Sequence, residues 1–129
     1  MNIDVAIAEL AALKDGWLDG EGSALDGPGL QAFAQLFRAH YPDSLPVPAV
    51  VPTFRGDVAI EFKLGIWDIS LDISLPSMSA LLCAENWNSG RCVDQEFDMS
   101  GAPGWAAFVE TVTKLSQRAN RFGDSSTEI

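Results

Sequence analysis

The chain has 129 residues, 47% of them hydrophobic, and a formal net charge of -10 from 18 acidic and 8 basic side chains. That length suits a single domain with one core, and the hydrophobic share excludes a disordered polar chain. The charge excludes a direct grip on nucleic acid or on an anionic membrane and favours a basic partner. Cys83 and Cys92 are too few for a disulfide framework and suggest reduced thiols in a cytoplasmic setting. Met1 leads into acids and a short amphipathic segment, so neither a secretory signal nor a membrane span is predicted.

Residues 3–14 place Ile3, Ile7, Leu10, Ala11 and Leu13 at helical spacing, with Asp4 near the positive end of the dipole. Asp15-Gly16 stops this helix, and the glycine-rich run Trp17–Gly22 is read as a loop. Asp26-Gly27-Pro28 starts a second helix, with Asp26 or Gly27 as cap and Pro28 in its first turn. Leu30, Phe33, Ala34, Phe37 and Tyr41 form its buried stripe, and Pro42 ends it. The loop between the helices invites a calcium reading, since Asp15, Asp19, Gly20, Glu21, Ser23 and Asp26 fall near EF-hand ligand positions. Trp17 stands where the second ligand belongs, and Asp26 replaces the long bidentate Glu. The favoured reading is that Trp17 and Leu18 pack inward while the acids stay solvated.

Leu45-Pro46-Val47-Pro48 reads as an extended connector. Ala49–Phe54 reads as a short edge strand, because Pro52 cannot serve a central one. Arg55-Gly56-Asp57 is a turn.

The segments Leu13–Gly22, Tyr41-Pro42-Asp43, Leu45–Pro48, Val51-Pro52-Thr53, Glu61-Phe62 and Leu71-Asp72-Ile73, in that order, resemble a group of small bacterial and mobile-element proteins. The resemblance covers roughly residues 7–75 and transfers no catalytic residue. It implies a bacterial or phage source, where small acidic proteins serve as inhibitors or immunity factors.

The clearest pattern is Trp67–Leu75, with apolar residues at odd positions and Asp or Ser at even ones, as in a half-buried strand. Asp57–Leu64 alternates likewise, and Gly65 permits a tight turn between the two. With two-residue turns at Ser77-Met78 and Ser89-Gly90, residue 62 pairs with 67, 75 with 80, and 87 with 92. One face then collects Val58, Ile60, Phe62, Trp67, Ile69, Leu71, Ile73, Leu75, Ala80, Leu82, Ala84, Val93, Phe97 and Met99 as the core. The other collects Glu61, Asp68, Asp72, Glu85, Asp94, Glu96 and Asp98 around one base, Lys63. Ile66, Leu81, Cys83, Trp87 and Cys92 sit among them. This register sets Glu61 against Asp68 and Glu85 against Asp94, like-charge pairs that folding alone disfavours. It sets Cys83 opposite Glu96 and Cys92 opposite Trp87, roughly 13 Å apart and unbonded.

After Gly101–Gly104, the residues Trp105, Phe108, Val109, Val112, Leu115 and Ala119 give a last helix that covers the apolar face. The competing arrangement has the chain after residue 98 folding over the acidic face instead. Residues 1–121 are read as one domain and 122–129 as a flexible tail.

His40 is the only histidine, at a helix end, and no phosphate loop, dinucleotide fingerprint or zinc spacing is present. Asp72 and Glu96, flanking Cys83 at roughly 9.6 Å, approach the separation of inverting glycosidase carboxylates, but an open sheet offers no sugar cleft. The predicted class is therefore α+β: two N-terminal helices, a four- to five-stranded antiparallel meander and a C-terminal helix on its apolar face. The predicted function is a non-enzymatic, cofactor-free and metal-free inhibitor, in the manner of acidic anti-CRISPR proteins. Glu61, Asp68, Asp72, Glu85, Trp87, Asp94, Glu96 and Asp98 would occupy a basic nucleic-acid-binding surface, such as a CRISPR effector subunit. The protein is expected as a monomer or weak dimer in the bacterial cytoplasm. The alternative is an immunity or antitoxin-type partner of a co-encoded toxin.

Overall fold

A computed structural model describes the backbone of residues 3–125 and the side chains of residues 3–117. Helix α1 (Ile3–Ala11) buries Ile3, Ile7 and Leu10 and stops three residues short of the predicted end. Helix α2 (Gly27–His40) begins where Asp26 accepts a hydrogen bond from the Gly29 N–H at 2.8 Å, with Pro28 in the first turn. Five strands follow: β1 (Ala49–Pro52), β2 (Val58–Leu64), β3 (Trp67–Ile73), β4 (Ser79–Asn86) and β5 (Cys92–Asp98). They form one antiparallel sheet in the order β1-β2-β3-β4-β5, an uninterrupted meander with β1 and β5 at its edges. Helix α3 (Ala102–Ser125) closes the fold. The predicted tail, 122–129, overlaps the end of α3 and otherwise lies outside the described residues.

All three helices share one side of the sheet. Phe108 of α3 meets the edges of Phe62 and Phe97, and the Trp67 indole N–H donates to the Leu115 backbone oxygen at 3.2 Å. Phe33 and Phe37 of α2 pack on Trp105, and Tyr41 meets Phe62 edge to face. The α3 stripe of Trp105, Phe108, Val112 and Leu115 is buried, each side chain stabilising by roughly 1.5–3 kcal/mol. This overturns the competing arrangement in which the chain after residue 98 covers the acidic face. Ala119 of the predicted stripe lies outside the described side chains.

The alternation assigns each residue to its face, but every hairpin register differs from the expected one by two. Phe62 pairs with Ile69 and Leu64 with Trp67, so Gly65 takes the first turn position, at φ 63°. Ile73 pairs with Ala80, and the ladder extends to Ser74 N–H donating to Ser79 O at 2.8 Å, which leaves 75–78 as the turn. A cis Leu75-Pro76 bond and Met78 at φ 65° shape it. Asn86 bonds Arg91, leaving 87–90 as the last turn. Two-residue turns at Ser77-Met78 and Ser89-Gly90 are therefore incorrect. A shift of two residues preserves the face of every side chain, because strand periodicity is two.

The glycine-rich loop is a tight structural knot. Leu18 and Glu21 bridge backbone to backbone, the Trp17 indole N–H donates to Ser23 O at 2.9 Å, and Asp15 accepts from the Ala24 N–H at 2.9 Å. A Cβ on Gly22 would lie 2.9 Å from the Trp17 ring, at a backbone φ of +91°. Trp17 is half-buried as predicted, but Leu18 is 47% exposed rather than packed inward, because the bridge turns it to solvent.

Candidate partner-binding face

With the helices on one side, the other side of the sheet is open. Its side chains form rows across the strands. The first runs Lys63, Asp68, Glu85, Cys92; the second Glu61, Ser70, Cys83, Asp94; the third Ala59, Asp72, Leu81, Glu96. Ser79 and Asp98 end the face. Glu61, Asp72, Glu85, Asp94, Glu96 and Asp98 are exposed and Asp68 is half-buried, so the structure brings all seven predicted acids to one surface.

Their neighbours are not those expected. Glu61 lies opposite Ser70, and Asp94 opposite Cys83. The predicted pairs Glu61–Asp68 and Glu85–Asp94 are absent because the register shift moves each acid two positions along its partner. One direct like-charge pair exists, Asp68 against Glu85. Lys63 offsets it from the neighbouring strand, with its ammonium 3.7 Å from Asp68 Oδ1. Most acids thus stand against Ser, Cys or Leu, an arrangement that spaces the charge across the face at little cost to the ladder.

Leu81, at 42% exposure, sits between Asp72 and Glu96, the position expected for Cys83. Trp87 is 57% exposed, but it belongs to the last turn and does not pair with Cys92. Its N–H donates to Ile66 O at 3.1 Å, which ties it to the β2–β3 turn. Ile66 leans on the core and does not join the acidic face.

Cys83 and Cys92 are both free and exposed. The prediction of unbonded thiols stands, but its reason does not. Cys83 faces Asp94 and Cys92 faces Glu85, which makes the two cysteines diagonal neighbours about 7–8 Å apart rather than 13 Å. Partial burial, then a hydrogen bond with Asp94 and its charge, push the Cys83 thiol up from its ordinary value, with smaller contributions from Asp72 and Cys92. Such a thiol stays protonated at neutral pH and makes a poor nucleophile. The Ser100 hydroxyl and backbone N–H hold the Asp98 carboxyl below the usual range, keeping that end of the face charged. His40 lies tilted against Trp105 on the helix side, 6.3 Å between ring centroids, away from these carboxylates and thiols.

The face is not flat. One depression of about 480 Å³ lies among Glu61, Lys63, Asp68, Ser70, Cys83 and Glu85. A second, of about 780 Å³, lies among Phe54, Arg55, Asp57, Asp72, Leu81, Glu96 and Asp98. Phe54 is 60% exposed, and the Arg55 guanidinium lies 5.6 Å from its ring centroid. The sequence reading missed this aromatic and its cation. The signal was the adjoining Arg55-Gly56-Asp57 turn, which brings the end of the edge strand to the rim of the face. Among the described residues no group of three His, Cys, Asp or Glu side chains could hold a metal ion, and no helix is long and apolar enough to cross a membrane.

No family model, curated protein or solved structure matches this chain.

Proposed function

We propose that this protein is a binding protein whose acidic sheet face docks on a basic protein surface of the kind that grips nucleic-acid phosphates. The observation that carries the reading is a sheet face left open by the helices, with seven acids, one lysine and the exposed Leu81 on it and the exposed Trp87 in the adjoining β4–β5 turn. Acids recur at every second residue, about 6.8 Å along a strand, so β5 alone offers Asp94, Glu96 and Asp98 in a row. Lysine and arginine side chains that hold a phosphate backbone would meet this row with complementary charge. Leu81 supplies apolar contact within the charged patch, and Trp87 offers it from the adjoining turn. The open face supports a role in binding rather than catalysis. The reading extends to inhibition of a bacterial defence complex, as anti-CRISPR proteins do.

The test is capture from nuclease-treated bacterial lysate on the immobilised protein. A basic nucleic-acid-binding protein, released by salt and displaced by added nucleic acid, supports the reading. A captured partner that salt and nucleic acid leave in place contradicts it, and a small toxin in that position would favour an immunity role.

A further inference from the structure

The open edge of β5 is a second feature, distinct from the face, and the hydrogen-bond phase shows which groups it presents. Met99 N–H donates to Met78 O at 2.8 Å and Asn86 N–H donates to Arg91 O at 2.7 Å, both in the β4–β5 register. Hydrogen-bonded and non-hydrogen-bonded pairs alternate along an antiparallel ladder. Ala80–Phe97, Leu82–Gln95 and Ala84–Val93 are therefore the bonded pairs. The backbone N–H and C=O groups of Cys92, Asp94, Glu96 and Asp98 point away from β4. Among the described residues none of them has a backbone partner.

The helix layer meets this edge at its end, where Gly104 of α3 lies against the Asp98 carbonyl, and leaves Cys92, Asp94 and Glu96 clear. Gln95 projects on the helix side yet is exposed, and Val93 beside it is half-buried. The opposite edge is different: β1 is short, carries Pro52 and lies against α1. Only β5 offers a long, unproline-broken edge of the kind that takes up another strand.

We infer that the β5 edge binds an extended segment of the partner by strand addition, a segment with lysine or arginine at alternate positions. This rests on the partner-face reading for the choice of charge, while the edge itself rests on the ladder phase. A strand bonded to Asp94 and Glu96 places its own residues directly opposite them, on the same face, with Cα atoms about 5.5 Å apart. Basic side chains there meet the carboxylates within one cross-strand pair. A second copy of this chain is the wrong occupant. The side chains that accompany the open backbone groups are Cys92, Asp94 and Glu96, so pairing β5 with β5 in this phase sets acids against acids. The competing role for acidic side chains here is to block the edge. That role predicts no uptake of any strand.

The experiment uses the full-length protein and a capped eight-residue peptide alternating lysine and threonine, with amide hydrogen exchange read by NMR. The proposal predicts that exchange at Asp94 and Glu96 slows by at least about tenfold, while Val93, Gln95 and Phe97, already bonded to β4, change little. The same peptide N-methylated at its lysine amides keeps its charge but loses its donors, and should give no such protection. If both peptides shift the outer-face signals equally and Asp94 and Glu96 still exchange fast, strand addition is wrong and the acidic-face reading survives. If neither peptide shifts any outer-face signal, strand addition and the charge reading both fail. Concentration-dependent protection of Asp94 and Glu96 in the free protein would show a second copy on the edge, and would also overturn the proposal.

Discussion

The Trp67 indole donates its N–H to the backbone oxygen of Leu115 at 3.2 Å, across the boundary between sheet and last helix. Both groups are buried, and the bond helps fix which side of the sheet α3 covers and which it leaves open. Trp67→Phe keeps an aromatic ring but removes the donor and part of the volume. A loss of about 1–2 kcal/mol is expected in urea unfolding, with partner binding unchanged. No change in stability would show that the bond contributes nothing to holding α3.

Gly104 fits where no side chain can. A Cβ at this position would lie 1.6 Å from the Asp98 backbone oxygen, so the first turn of α3 rides directly on the end of β5. Both contacting groups are backbone, and relief requires moving the helix or the strand. Gly104→Ala is expected to cost about 3 kcal/mol or more, despite alanine's better helix propensity. The check is thermal unfolding beside Gly27→Ala, where a Cβ meets nothing within 4 Å. Equal melting temperatures for the two variants would contradict the close approach.

The faces were legible in the sequence because side-chain alternation alone decides them. Trp67, Ile69, Leu71 and Ile73 are buried and Asp72 is exposed, whatever the length of the turns. The register was not legible, because it depends on turn geometry. Asn86 accepts from the N–H groups of Asn88 and Ser89 and organises a four-residue turn, where Ser89-Gly90 suggested two residues. Gly65 took the first rather than the second turn position, as a type II′ hairpin permits. The seven acids were therefore assigned to the correct face, while their pairings and the places of Ile66 and Trp87 were not. Phe54 and Arg55 escaped notice because their approach to the face depends on where the β1–β2 hairpin ends.

Tyr41 gives a stability signature at high pH. Its ring stacks on Phe37 at 4.6 Å between centroids, and its hydroxyl donates to the Pro46 oxygen. Burial pushes its pKa from 10.0 to about 12. The folded state then holds the phenolic proton more tightly than the unfolded chain. The resulting stability is fully present below pH 10 and is lost as pH rises towards 12. Between those values the wild-type protein should lose stability more steeply than Tyr41→Phe, measured by denaturant midpoint against pH. Parallel curves would show that the tyrosine ionises equally in both states.

The Trp17 loop is predicted to act in folding and not in binding. Gly22→Ala forces a Cβ to 2.9 Å from the Trp17 ring at a φ that L-residues avoid, and should cost about 1–3 kcal/mol. Added calcium should leave the melting temperature unchanged, because Asp15 already accepts the Ala24 N–H. A calcium-dependent rise would contradict this and restore the loop as an ion site.

The most direct test of the central claim compares two charge reversals that change the net charge equally. Asp94→Lys with Glu96→Lys alters the open sheet face, whereas Glu9→Lys with Asp43→Lys alters exposed positions outside the sheet. Affinity for the captured basic partner is measured for both variants and the wild type across a salt series. The sheet-face variant should lose about a hundredfold in affinity and most of its salt dependence, with its fold intact by circular dichroism. The control variant should lose little. Equal losses from both variants would mean that net charge alone drives the association, and undiminished binding by the sheet-face variant would place the partner elsewhere on the molecule.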